Sequence, residues 1–172
     1  TDNAGNAVTT APTSGATFTV DNTAPVVSNV TSSTANGSYV AGNTISIQVN
    51  FDSTVTVSGF PQLTLETGTT DAVVNYVSGS PGTSLTFTYT VGASDASADL
   101  DYASTGALAL NGGTIVDAAG NAATLTLATP GAANSLGANK ALVVGVVSFN
   151  ISSAETLDCD PVDGHIDHYK IG

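Results

Sequence analysis

Arginine, tryptophan and methionine are missing from this chain, and lysine occurs only twice, at Lys140 and Lys170. Without basic residues there is no patch to neutralise phosphate groups, so the composition gives nucleic acid nothing to hold and offers anionic lipid no foothold. The single cysteine, Cys159, rules out an intrachain disulfide, and no Cys/His group has zinc spacing. No apolar run approaches the ~20 residues of a membrane-crossing helix, which argues against membrane insertion. Aromatic residues make up only 6% of the chain, a poor supply for a sugar-stacking platform. Glutamate is nearly absent and no G-x-S-x-G elbow is present, so neither a glycosidase pair nor a hydrolase triad is suggested, and no enzyme is expected. With no methionine, and a start inside a motif at Thr1, the 172 residues read as a segment of a longer protein.

What is present fits a β protein with an uncharged surface. Hydrophobic residues are 41% of the chain, enough for a core, whereas charged residues are only 9%, far below the usual quarter or so. Fourteen acidic residues against two lysines give a formal charge of −12, and twelve of the fourteen are Asp. Asp is short, favours turns and suits hard cations, so calcium is the cofactor this composition suggests. Residues 44–51 alternate cleanly, with Ile45, Ile47, Val49 and Phe51 on one face. Further strands are expected at 26–33, after a kink at 52–54 through Val55 and Val57, around Leu63 and Leu65, and at 72–77 paired with 85–91. Others are expected at 107–110, 114–116, 123–127 and 141–147. No segment reads as a capped helix. Turn signals recur at the spacing of an antiparallel β-sandwich.

The stretch from Asp95 to Asn121 concentrates the candidate chemistry. Asp99 and Asp101 are two apart on a strand-like segment and so point the same way. Like charges held together favour a cation between them, with Asp21 and Asn22 of the junction as candidates to complete the set. The motif D-A-A-G-N-A at Asp117 repeats as D-N-A-G-N-A at Asp2, where Asp and Asn form a turn and Gly takes a positive φ. Residues 1–20 therefore read as the last hairpin of a preceding repeat. Residues 21–25 form a stiff junction set by Pro25, residues 26–147 the sandwich, and residues 148–172 a second junction and the start of another repeat.

The series A-G-N-T-I-S-I-Q-V-N-F, V-T-V-S-G-F-P-Q-L-T-L-E-T-G, L-T-F-T-Y-T-V, A-D-L-D-Y, L-N-G-G-T-I-V-D-A-A-G-N-A and A-N-K-A-L-V-V resembles bacterial immunoglobulin-like repeats across nearly all of 26–147. The resemblance implies an Ig-like antiparallel sandwich in an extracellular or cell-surface adhesin-type repeat protein. It implies a structural or adhesive role, neighbouring repeats as partners and calcium at the junctions. Asp52-Ser53 stands where such repeats commonly carry Ser-Glu. Asp158, Asp160, Asp163 and Asp167 around Gly164 resemble a short calcium loop, with one extra residue at Pro161-Val162. His165 and His168, three apart beside these carboxylates, would fall on opposite faces of a strand. Two other expectations stand beside the spacer reading. One is head-to-tail assembly of copies through incomplete terminal strands; the other is a glycan-binding accessory domain.

Overall fold

Alternation of apolar and polar residues becomes strand pairing in the computed structural model, which describes residues 20–145. The strands are β1 (Val27–Ser32), β2 (Gly37–Tyr39), β3 (Thr44–Ser58), β4 (Gln62–Glu66) and β5 (Ala72–Ser78). They continue with β6 (Gly82–Thr90), β7 (Asp101–Tyr102), β8 (Leu108–Ala109), β9 (Thr114–Val116) and β10 (Leu142–Val144). One helical turn, α1 (Leu136–Asn139), precedes β10, and the Ser135 hydroxyl caps it by accepting the Ala138 N–H. The fold is all-β, with antiparallel pairing throughout the main sheet. Its strand order is β1-β3-β6-β5-β4-β7, with β8 against β4 and β9 against β3. The separate pair β2–β10 is parallel.

Two strands change partner along their length, and this curls the sheet around its core. The first part of β3 pairs with β1 and β6; its register to β6 shifts between Asn50 and Val55, and its last residues pair with β9 instead. The kink expected at 52–54 is thus a bulge within one 15-residue strand. In the same way β5 pairs with β4 over Ala72–Asn75 and with β6 from Tyr76 onwards. The inward side chains Ile45, Ile47, Val49, Leu85 and Phe87 are wholly buried and meet Leu63, Leu65, Leu100 and Tyr102 across the core. Residues 123–127 differ from expectation. They alternate, but only Thr124 forms an isolated bridge, to Val26; Ala122, just before the segment, bridges Val116.

The register also fixes where the chain enters and leaves. Val27 lies opposite Phe51 at the far end of the β1–β3 ladder, and Val26 is tied to this end by Asp52, whose N–H donates to the Val26 carbonyl and whose carboxylate accepts the Val26 N–H. Gly145 donates to Tyr39, just before the turn that leads into Thr44. Thr44 and Asp52 mark opposite ends of the β3 ladder, roughly 27 Å apart at ~3.4 Å per residue. The described chain therefore enters at one pole and exits at the other.

Candidate functional site

At the entry pole the junction residues are bonded into the fold. The Asp52 carboxylate accepts the Val26 N–H at 3.0 Å while the Asp52 N–H donates to the Val26 carbonyl at 3.0 Å. On the other side Thr124 N–H donates to the Pro25 carbonyl at 2.8 Å. The D-A-A-G-N-A loop completes the hold. The Asn121 amide donates to Asp117 Oδ2 at 2.8 Å and to the Asp21 carbonyl at 3.1 Å. Asp117 Oδ1 accepts the N–H groups of Ala119 and Asn121, and Gly120 takes φ 90° to close the turn. The Asn121 side-chain bond, helped by the backbone N–H donors, holds the Asp117 carboxyl below its usual range. The motif expected to form a turn does so, and its asparagine also latches the connector. Sequence spacing gave no sign of that second role, nor of Asp52 as a backbone acceptor.

Asp21 and Asn22 belong to this pole and not to Asp99 and Asp101. Asp21 is exposed and its carboxylate accepts the N–H of Thr23 at 3.0 Å, an Asx-type turn. Asn22 is exposed as well. The four residues expected to share one cation are not brought together.

Asp99 and Asp101 stand at the exit side, beside the segment that borders β10. Leu100, between them, is buried and donates its N–H to the Leu142 carbonyl at 2.8 Å. As period two requires, both carboxylates lean the same way. A methyl group at Gly137 would lie 3.0 Å from Asp101 Oδ2 and 3.4 Å from Asp99 Oδ2, so the glycine of α1 makes room for both. Their environments differ. Asp99 is exposed. Asp101 is 8% exposed, accepts the Tyr102 N–H on Oδ1 at 2.9 Å and accepts the Gly131 N–H on Oδ2 at 2.9 Å. It fastens the 129–135 loop to the end of the sheet. Glu66 pairs with it in register across β4–β7.

The same side holds a polar pair that spacing did not reveal. The buried Tyr89 hydroxyl donates to Asp95 Oδ2 at 2.6 Å, and the Gly92 N–H donates to the same oxygen at 2.8 Å. Burial, with the bond and charge of Asp95 adding to it, pushes the Tyr89 hydroxyl well above the usual tyrosine range. Tyr102 is pushed up to about 12 by burial and by the charge of Asp101, and its hydroxyl donates to the Ala128 carbonyl at 2.6 Å.

Calcium takes six to eight oxygen ligands. Among the described residues no three His, Cys, Asp or Glu side chains gather as a metal group. Asp99 and Asp101 supply two carboxylates, and each oxygen of Asp101 also accepts one backbone donor. Asp158, Asp160, Asp163 and Asp167, with His165 and His168, lie outside the described residues. Among the described residues no helix is long and apolar enough to cross a membrane. Comparison with protein families, curated proteins and solved structures finds no match to this chain.

Proposed function

We propose that this chain is a spacer module of a secreted or surface-anchored bacterial repeat protein, an Ig-like sandwich that holds other domains apart. One observation carries the reading: the chain enters and leaves at opposite poles, and its leading connector is bonded into the module by Asp52, Thr124 and Asn121. A unit of that form lengthens an array with each copy and transmits direction from one unit to the next. The second copy of D-x-A-G-N-A, at Asp2, fits the same latch in a preceding unit. Small-angle scattering of concatenated full chains tests this. The maximum dimension should grow linearly with copy number; a dimension that grows as for a compact globule would overturn the spacer reading.

Calcium belongs to this proposal at the trailing junction, where the sequence around Gly164 resembles a calcium loop. A calcium-dependent rise in thermal midpoint should be lost on joint replacement of Asp158, Asp160 and Asp163 by Asn. Survival of the full rise in that variant would remove calcium from the trailing junction. Assembly by strand addition draws less support at β1, because the outward backbone groups of Val30 are already used. Val30, on the edge strand β1, donates its N–H to the Asn134 carbonyl at 2.9 Å, and its carbonyl accepts the Asn139 amide at 2.8 Å.

A further inference from the structure

The spacer reading places tension along the pole-to-pole axis, and on that basis we infer that the parallel pair β2–β10 is the load-bearing clamp of the module. Load from the N-terminal side enters at the connector and runs along β1 into β2; load from the C-terminal side enters β10 at Gly145. Among the described strands, β2–β10 is where these two paths meet by direct pairing, through Leu142–Gly37, Val143–Ser38 and Val144–Tyr39. The strands are parallel, and both run towards the exit pole. Tension draws β2 back towards the entry pole and β10 out through the exit pole, so they must slide lengthwise past each other. Bonds across a sliding pair are loaded together, whereas bonds at a peeled end break one at a time.

The bonding around this pair suits that task. Gly37 N–H donates to the Ala141 carbonyl at 3.0 Å at one end, and Gly145 N–H donates to the Tyr39 carbonyl at 3.0 Å at the other. The Asn36 side chain accepts the Ala141 N–H at 3.2 Å. The opposite edge of β10 is held as well. Ser97 and Val144 exchange both backbone bonds at 2.8 Å, and Leu100 donates to Leu142. Leu142 and Val144 are buried, so sliding also drags two apolar side chains out of the core. Asp101, by fixing the 129–135 loop beside this segment, braces the strip on which β10 lies.

Single-molecule force spectroscopy on the full chain between marker domains tests the clamp. Pulling through the two termini loads β2–β10 in shear. Pulling through a cysteine at Val40→Cys and the C-terminus, with Cys159→Ser, peels the same pair from its exit end; Val40 is 39% exposed and lies outside the pairing. The shear geometry should unfold at about twice the peeling force or more, since forced unfolding reports the barrier and not the equilibrium stability. Val143→Pro removes a backbone donor from β10 at a residue 43% exposed and should lower the shear force towards the peeling value. Equal forces in the two geometries would overturn the clamp, and that comparison holds even if the proline variant does not fold. Equal forces together with linear concatemers would reject the clamp and leave the spacer. Compact concatemers would reject the spacer whatever the forces.

Discussion

Replacing Asp101 by Asn separates a structural carboxylate from a calcium ligand. The side chain is nearly buried and accepts two backbone N–H groups, one on each oxygen, at 2.9 Å each. An amide offers one acceptor oxygen and one NH2. It can satisfy Tyr102 or Gly131, but it turns a donor towards the other. One N–H is then left without its acceptor, which costs about 1–3 kcal/mol where it is the buried Tyr102 group and less where it is that of the exposed Gly131. For a unit of this size that lowers the thermal midpoint by up to about 12 °C. Asp101→Ala leaves both N–H groups unpaired and should lie lower still. The assay is a thermal melt monitored by circular dichroism, run once with chelator and once with calcium. The loss should be the same in both, because the donors are backbone groups of the same chain. If Asp101→Asn melts with the parent in chelator and falls behind only in calcium, Asp101 acts as a ligand and the assignment as a loop fastener is wrong.

The latch at the entry pole should respond to Asn121→Ala by faster hydrogen exchange at the Thr124 amide, which bonds to Pro25, with exchange in the β3–β6 ladder unchanged; uniform acceleration would mean that Asn121 supports the whole fold and not the connector. The folded Asp117 carboxyl is depressed below its unfolded value, so its contribution is present above about pH 4 and is lost as the pH falls through the folded value. Nuclear magnetic resonance of the Thr124 and Val26 amides should therefore show the connector loosening in acid before the core melts, and simultaneous loss would refute the order. Tyr102 is raised above its unfolded value, so its contribution is complete below about pH 10 and is lost as the pH climbs through about 12. Ultraviolet titration should show Tyr102 and Tyr89 ionising only as the protein unfolds in alkali, whereas ionisation near pH 10 in folded protein would contradict their burial.

The strands that alternate over five residues or more were legible because their partners are also regular: β1, β3, β4, β5 and β6 form where the period-two pattern runs. Short elements were not. Gly37-Ser38-Tyr39 has no pattern of its own and becomes a strand only because Leu142–Val144, far along the chain, lies beside it. Residues 123–127 fail in the opposite sense, since alternation without a partner strand gives an isolated bridge. The single turn of α1 carries a Ser cap, but Gly137 and Asn139 give it little helix preference. At the candidate site, the shared direction of Asp99 and Asp101 followed from their spacing. That Asp101 spends its oxygens on Tyr102 and Gly131 did not follow, because the second donor is a loop residue whose approach depends on tertiary packing. The latch made by Asn121 was hidden for the same reason: a turn motif announces its internal bonds and says nothing of the donor left over for the connector.

The chain carries a formal charge of −12, and within the described residues its carboxylates are kept off the regular part of the sheet. The outward residues of β3 before its bulge are Thr44, Ser46, Gln48 and Asn50, in register with Thr90, Thr88, Thr86 and Ser84 of β6, and none of these is charged. Carboxylates gather instead towards the ends: Asp21, Asp52 and Asp117 at the entry pole, and Glu66, Asp95 and Asp99 at the exit side. The poles lie roughly 27 Å apart along β3, several times the ~8 Å Debye length at physiological ionic strength, so repulsion between them within one module is largely screened. Within the module Asp52, Asp101 and Asp117 turn part of this acid to structural use, as acceptors for backbone N–H groups.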